Sequence, residues 1–217
     1  MMLALLIVCL QDSAADTYRA MEKKFVDAPG VTIALKGEST VKKGERTIES
    51  KITGRVLVKP GDKAYYELSL TQGDKNSTIT SKSDGKTTVN TRNGVPGTAA
   101  PIQKRATEFL RECVLRTGFV PLTVAANAAG ESVASGDLPA PDDACALSNF
   151  SSPEKGVIQY DVKLFGKMDG KVKLWIADGL PVKRTFTSTY NGAEITITET
   201  YEKVSLADVP DAEFTHE

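Results

Sequence analysis

The sequence predicts a mainly β (α+β) protein, in which a single curled antiparallel sheet of nine or more strands is covered by a few helices. Two regions, residues 31–92 and 156–205, alternate apolar and polar side chains with a period of two, which is typical of half-buried strands. Turns that contain glycine separate the alternating runs, as hairpins require. Because a twisted antiparallel sheet of this size must curl, we expect the helices to cover its concave side.

The chain begins its regular structure with a short amphipathic helix, predicted at residues 16–28. Tyr18, Met21 and Phe25 follow one another at roughly helical spacing, and Pro29-Gly30 ends the pattern. Apolar side chains on one side of such a helix favour packing against the sheet.

Two groups of strands are separated by a helical insertion at about residues 101–130. About five strands precede it, and residues 102–118 then place apolar side chains at helical spacing. The flank that follows continues as a second, less regular helix, and residues 130–143, rich in proline, glycine and small residues, predict a loop. Four consecutive strands then complete the sheet, with turns predicted at Asp169-Gly170, Asp178-Gly179 and Asn191-Gly192.

Charge and composition exclude several classes of function. The chain has 217 residues, with 27 Lys and Arg against 28 Asp and Glu, so it offers no basic field for nucleic acid. His216 is the single histidine, which excludes Ser-His-Asp triads and most zinc sites, and no phosphate-binding glycine loop occurs. We therefore predict a protein that is not an enzyme and that has no cofactor, no metal site and no nucleic-acid partner.

Residues 1–15 are predicted to be a signal peptide, which implies export to the periplasm or the cell surface. An apolar run is followed by Ser13 and Ala15 at the −3 and −1 positions of a cleavage site before Asp16. The usual basic residues are missing, so a buried N-terminal strand or helix, or a start codon set too late, is the alternative. Lipid anchoring through Cys9 is a further alternative, but Val8 is bulkier than the small residue that normally precedes a lipidated cysteine.

Removal of that peptide would leave two cysteines, Cys113 and Cys145. In an oxidising compartment we predict a disulfide between them, and closing a loop of about 30 residues would stabilise the fold by about 3–4 kcal/mol. Two buried free thiols are the alternative.

Several short motifs, each weak alone, follow one another in an order that is typical of one protein family. A helix ending near Phe25 precedes a Lys59-Pro60-Gly61 turn that leads into Tyr65-Tyr66-Glu67, and a Ser83–Lys86 turn follows. The stretch from Ile176 to Phe214 has the form of the family's closing strands. In this order the chain resembles the bacterial lipoprotein-carrier (LolA-like) superfamily, as a divergent member, and the resemblance covers nearly all of residues 16–217.

The resemblance implies an unclosed β-barrel with helices as a lid and a hydrophobic cavity between them. Members accept the acyl chains of lipoproteins or of free lipids without covalent chemistry. The true carriers hold the lid closed with an arginine on an early strand; Arg46 and Arg55 lie in that general region, and neither aligns to it. The middle region with Cys113 and Cys145 also departs from the carriers.

We therefore predict a single half-barrel domain at residues 16–217 that acts as an exported, monomeric carrier of a lipid or an acylated lipoprotein. The candidate ligand-binding residues are apolar side chains that the pattern turns inward: Leu35, Ile52, Tyr66, Leu68, Phe109, Leu110, Leu164, Leu174, Ile176 and Phe186. The alternatives are a periplasmic sensor or interaction module that binds a membrane-associated partner protein, and a structural envelope protein whose core is filled.

Overall fold

The computed structural model describes residues 13–102, 104–129 and 138–216. Its helices are α1 (Ala14–Asp27), α2 (Ala106–Thr117), α3 (Phe119–Ala129) and α4 (Pro141–Ala144), and a short 3-10 helix spans Asp211–Phe214. Its strands are β1 (Val31–Lys43), β2 (Arg46–Lys59), β3 (Lys63–Gln72), β4 (Lys75–Asp84), β5 (Thr87–Arg92), β6 (Val95–Pro96), β7 (Ala100–Pro101), β8 (Cys145–Glu154), β9 (Val157–Leu164), β10 (Met168–Ala177), β11 (Leu180–Tyr190) and β12 (Ala193–Ser205).

All twelve described strands belong to one antiparallel sheet, in the order β6-β5-β4-β3-β2-β1-β12-β11-β10-β9-β8, and β7 pairs with β5. Two meanders, β1–β5 and β8–β12, meet where the first strand of one pairs with the last strand of the other. Within the described residues no ladder joins β8 to β6 or β7, so the barrel is unclosed. The predicted fold class is confirmed.

The alternation of side chains explains which face of the sheet is covered. On β3, Ala64, Tyr66 and Leu68 are buried, while Tyr65 and Glu67 between them are partly exposed. The buried side chains of the strands join those of α1, α2 and α3 in one apolar core cluster. Helices α1, α2 and α3 therefore lie on the concave side, as the sequence predicts. The convex side is polar apart from a small cluster in which Leu57 and Tyr65 pack against Val209 and Phe214.

The first helix begins earlier than the sequence predicts. Ser13 is its N-cap residue, and its Oγ accepts a hydrogen bond of 3.1 Å from the Asp16 N–H. Cleavage before Asp16 would remove this cap and Ala14–Ala15 of the first turn. Residues 1–12 of the predicted signal peptide lie outside the described residues, and the signal peptide stays a prediction.

Two features of the C-terminal meander differ from the sequence-based expectation. The turn predicted at Asp169-Gly170 is wrong: Phe165 and Gly166 have positive φ and form the turn, and Gly170 lies within β10. Gly170 is needed there because a Cβ atom would overlap the ring of Phe186 on the neighbouring strand. Val182, which the pattern places on the apolar face, is 40% exposed, because a register shift between β10 and β11 leaves it without a partner in the ladder.

The helical insertion agrees with the sequence in type and in approximate extent. Both predicted helices are present, as α2 and α3, and Gly118 separates them. Of the loop predicted at 130–143, residues 130–137 lie outside the described part of the chain, and Pro141–Ala144 form α4 instead. Strand β8, which directly follows α4, was not predicted.

Candidate functional site

The candidate ligand-binding residues meet in the space between the concave face and the helices. Nine of them are almost fully buried in the core cluster, namely Leu35, Ile52, Tyr66, Leu68, Phe109, Leu110, Leu164, Leu174 and Phe186. Ile176 is half-buried and packs against the same cluster. The structure thus brings all of the predicted residues together, and their contact with a ligand stays a prediction.

Ile176 also lines a crevice at the edge of this interior. The crevice has a volume of about 650 Å³ and lies between the start of α1 and the β8–β9 turn. Ala14, Val157 and Ile158 contribute further apolar atoms to its wall. Ile176 is therefore the predicted residue that solvent reaches most readily.

Helices α2 and α3 form a cover over the sheet, and we call them the cover helices. Helix α2 packs against α1, α3 and α4 and against strands β2, β3 and β8. Helix α3 carries no charged residue, and its Phe119, Leu122 and Ala126 are buried while Val124 is 36% exposed. Phe119 lies edge-on to Tyr66 of β3, with ring centroids 5.3 Å apart. An apolar helix of this kind needs apolar surroundings on nearly every side.

Arg184 holds the end of α2 against the sheet. Its side chain is only 1% exposed, its Nη1 donates a 2.8 Å hydrogen bond to the carbonyl of Val114, and its Nη2 donates to the carbonyl of Leu115. The last carbonyls of a helix have no partner within the helix and carry partial negative charge. A buried cation from β11 therefore caps the C-terminus of α2.

Glu199 holds the start of α3 in the corresponding way. It lies opposite Arg184 in the β11–β12 register, and its Oε1 accepts a 2.8 Å hydrogen bond from the Val120 N–H. Its Oε2 accepts a 2.9 Å hydrogen bond from the Tyr201 hydroxyl and lies 4.0 Å from Nη1 of Arg184. Burial raises the pKa of Glu199, and Arg184 and the Val120 N–H oppose that shift.

Gly118, between the cover helices, lies directly over this ion pair. Its φ of 92° and ψ of 160° belong to a region that is essentially restricted to glycine. A Cβ atom there would lie 2.5 Å from Oε2 of Glu199, which is itself buried and hydrogen-bonded. The connection between α2 and α3 thus requires glycine, both because of its backbone conformation and because there is no room for a Cβ atom.

Arg116 joins α2 to two other helices. Its Nε donates to Glu22 of α1 at 2.8 Å, its Nη1 to Asp142 of α4 at 2.5 Å and its Nη2 to Glu112 of α2 at 3.0 Å. Its backbone carbonyl accepts a 2.6 Å hydrogen bond from the hydroxyl of Tyr160 on β9. One residue therefore connects α2 with α1, α4 and the sheet.

Two more contacts hold the first half of α2. The Oγ1 of Thr107 donates a 2.7 Å hydrogen bond to the carbonyl of Lys59 at the end of β2. Nη1 of Arg111 donates a 2.7 Å hydrogen bond to the carbonyl of Val26 near the end of α1. With the contacts of Arg116 and Arg184, α2 is fixed by polar contacts along its whole length.

Cys113 and Cys145 are free, fully buried thiols in the structure. Burial raises the pKa of the Cys113 thiol, and the nearby Cys145 thiol raises it further. The disulfide that the sequence predicts between them stays a prediction.

Arg184 and Glu199 are not among the predicted site residues, although the sequence contains a signal for both. Arg184 alternates with Phe186, and Glu199 with Ile197, on the face predicted to be apolar. Charged residues at inward positions of two adjacent strands indicate a buried pair, because an unpaired buried charge is very unfavourable. Arg46 and Arg55, the arginines that the sequence singled out, are exposed, and Arg55 pairs with Glu213 at 3.3 Å.

No cluster of three or more His, Cys, Asp or Glu side chains suited to a metal ion occurs among the residues that the structure describes. In the same part of the chain, none of the helices is long and apolar enough to cross a membrane.

No family model matches the chain, and no curated protein matches its sequence. Among solved structures, it is similar to a LolA superfamily protein from Nitrosomonas europaea, with 13% identity, coverage of 95% of this chain and 99% of that chain, and a TM-score of 0.38. It is also similar to an outer-membrane lipoprotein-sorting protein domain from Vibrio parahaemolyticus, with 10% identity, coverage of 93% and 95%, and a TM-score of 0.40.

A third similar structure is that of MucB in complex with MucA(peri), with 10% identity, coverage of 94% of this chain and 60% of that chain, and a TM-score of 0.31. All three likenesses are at low sequence identity.

Proposed function

We propose that the protein is an exported, non-enzymatic carrier that holds a lipid, or the acyl chain of a lipoprotein, between the concave face of the sheet and the cover helices. One observation carries the proposal: the apolar face of the sheet is covered by helices that are fastened near Gly118 by two buried charged side chains, Arg184 and Glu199. A cover fastened at a joint can be displaced without unfolding the strands beneath it.

The first support is the size of the apolar surface under the cover. Apolar side chains from β1, β2, β3, β9, β10, β11 and β12 converge in one cluster. Burial of an acyl chain there would contribute roughly 25 cal/mol for each Å² of apolar surface removed from water. The apolar surface that contacts the acyl chain would belong to the cover helices, to the sheet or to both. It would become accessible when the helices and the sheet lose contacts with each other.

The second support is the composition of α3. Its described side chains are apolar apart from Thr123, whose Oγ1 donates a 2.9 Å hydrogen bond to the Phe119 carbonyl within the same helix. Beyond the first turn, which Glu199 holds, an acyl chain can therefore replace the strands as the neighbour of α3 without burying a charged side chain of the helix. Ala125 and Ala126 leave the inner side of the helix small.

Mass spectrometry of co-purified lipid tests this proposal. The protein is purified without detergent, extracted with organic solvent and analysed before and after incubation with mixed bacterial lipids. We expect an acyl species in roughly equal amount to the protein. An extract without acyl species, also after the incubation, would overturn the proposal and would favour the filled core or a partner protein.

A substitution on α3 distinguishes a cavity from a filled core. Ala126→Trp adds a large side chain at a buried position, and Val124→Trp is the matched control on the partly exposed side of the same helix. If the interior admits an acyl chain, Ala126→Trp lowers lipid uptake while the protein keeps its fold, because the indole takes the space of the ligand. If the core is filled, overpacking instead destabilises the protein by about 1–3 kcal/mol with no change in lipid content.

A further inference from the structure

Cys113 and Cys145 meet where the cover helices reach the edge of the sheet. Cys113 lies in the middle of α2, and Cys145 is the first residue of the edge strand β8. Three residues after Cys113, Nη1 of Arg116 donates a 3.3 Å hydrogen bond to the carbonyl of Cys145. Both side chains are 0% exposed, α2 packs against α4 and β8, and the Cys145 thiol contributes to the raised pKa of Cys113. A cover helix and the sheet therefore present their cysteines to one another.

The surroundings of the pair indicate when a bond between them could form. Burial and the neighbouring thiol hold the pKa of Cys113 well above its ordinary value, so the folded protein contains very little of the thiolate that attacks a disulfide. Oxidation is therefore expected while the chain folds, before the cover closes. Once formed, the bond would be shielded from reductants by the same burial.

We propose that Cys113 and Cys145 form a disulfide that fixes α2 to β8, so that the cover opens only by movement of α3 about Gly118. The first part concerns the chain alone, and the second part rests on the proposed carrier function.

The oxidation requires an external disulfide as the electron acceptor, such as that of a thiol–disulfide oxidoreductase. The thiolate of one cysteine attacks this disulfide and displaces one of its sulfurs as a thiolate. The second cysteine then attacks the mixed disulfide, which forms the Cys113–Cys145 bond and releases the acceptor as a dithiol. Two protons and two electrons have then passed from the pair to the acceptor.

The position of the bond explains why α3 would be the moving part. Cys113 lies between Thr107 and Arg116, so the bond would add a covalent contact to a helix that polar contacts already hold at both ends. On α3, the described contact with a charged side chain of the sheet is that of Glu199 at its first turn. Gly118 lies between the two helices with a backbone conformation that only glycine adopts readily.

Counting the thiols tests the first part of the proposal. The chain carries Cys9→Ala, so that only the pair is counted, and is prepared both by export and in a reducing cytosol. We expect no alkylated thiol after denaturation of the exported protein without reductant, and two per chain in the cytosolic protein. Two alkylated thiols per chain in the exported protein would overturn the bond.

Thermal unfolding gives a second readout for the same pair. After unfolding and refolding with reductant, the exported protein should have a Tm roughly 7–15 °C lower than before, as expected for a closed loop of this length in a protein of this size. The matched control, C113A/C145A, keeps the fold and should show no shift with reductant. An equal shift in this control would show that the effect does not come from the pair.

Uptake of a fluorescent long-chain fatty acid tests the second part. If α3 alone moves, the oxidised and reduced proteins take up the same maximal amount of the probe. A severalfold gain on reduction would show that α2 moves as well and would overturn this part. If neither form takes up the probe, the carrier function and the second part fail together, while the thiol count decides the bond independently.

Discussion

Helices α2 and α3 follow one another in the chain, yet the sheet holds them in different ways. Helix α2 is bound by hydrogen bonds along its length, from Thr107 at its start to Arg116 and the carbonyls that Arg184 caps at its end. Within the part of α3 whose side chains the structure describes, residues 119–126, the helix is held through its first turn by Glu199 and otherwise by apolar side chains. Polar contacts fix a helix in one position, whereas apolar contacts are nondirectional and can be exchanged for those of a ligand.

The difference indicates how a closed protein of this shape could admit a ligand. Both helices bury the candidate ligand-binding residues, so a ligand must displace one of them. Displacing α3 requires the contacts of one carboxylate to change, whereas displacing α2 would leave several charged side chains without partners. The cover therefore has one fixed helix, α2, and one less constrained helix, α3. Four predictions test this arrangement, from the largest expected effect to the smallest.

The largest effect is expected for Arg184→Met. The substitution removes the cation that caps α2 and leaves the Glu199 carboxylate buried without its charge partner. Loss of one member of such a pair costs about 3–5 kcal/mol of unfolding free energy, which denaturant titration would measure. Arg55→Met is the control, since its exposed ion pair with Glu213 should contribute at most about 1 kcal/mol. Equal losses in the two variants would contradict the role given to Arg184.

Gly118→Ala should lower the unfolding free energy by about 2–3 kcal/mol, because alanine rarely adopts this φ and ψ and its Cβ would press on Glu199. Gly73→Ala is the control: its φ is also positive, at 56°, but no atom lies within 4 Å of the added Cβ. We expect a loss of about 1 kcal/mol there. If Gly118→Ala lowers the unfolding free energy no more than Gly73→Ala does, the close fit between Gly118 and the ion pair is contradicted.

Glu199→Gln tests the electrostatics at the start of α3. Since the folded protein raises the pKa of Glu199, the native state holds a proton more tightly than the unfolded state does. The contribution of Glu199 to stability is therefore fully present below the ordinary glutamate pKa of about 4.3 and is lost as the pH rises through the raised value.

Measured between pH 4 and pH 8, the unfolding free energy of the wild type should thus fall relative to that of Glu199→Gln as the pH rises. Each unit of raised pKa corresponds to about 1.4 kcal/mol of this difference. Arg184 and Tyr201 face residue 199 in both proteins, so their own titration largely cancels in the comparison. If the unfolding free energy of the wild type, relative to that of Glu199→Gln, stays constant or increases as the pH rises, the raised pKa is contradicted.

The smallest effect is expected for a pair of threonine variants, one on each cover helix. Thr107→Val removes the hydrogen bond from α2 to the Lys59 carbonyl and should cost about 1 kcal/mol. Thr123→Val removes a hydrogen bond that lies within α3 and should change the unfolding free energy by less than half of that. Calorimetry of the two variants measures these losses. A larger loss for Thr123→Val would contradict α2 as the more firmly held helix.

The alternating pattern was sufficient to predict the sheet and its core. Leu174 and Phe186 face inward because the side-chain period of a strand is two, and the register between the strands preserves this arrangement. Strand β8 escaped prediction because an edge strand that is mostly exposed does not need apolar residues at every second position. Its SNFSSPE segment is polar and contains Pro153, which suits an edge that pairs on one side only.

The fastening of the cover could not be predicted because it depends on contacts between segments that are distant in the chain. Arg184 meets Val114 across 70 residues, and Glu199 meets Val120 across 79. The pattern shows that both charges lie on the inward face, but only the packing of α2 and α3 places helix ends above them. The disulfide between Cys113 and Cys145 was predicted on the condition of export, and it stays a prediction, since the structure has both as buried free thiols.

Hydrogen–deuterium exchange of the cover helices is the measurement that tests the central comparison most directly. Exchange is followed by mass spectrometry of peptides that cover α2 and α3 in the free protein under native conditions. We predict that the amides of α3 after its first turn exchange well before those of α2, because local opening of α3 breaks fewer polar contacts. Equal protection of the two helices, or faster exchange in α2, would contradict a cover with a fixed helix and a movable one.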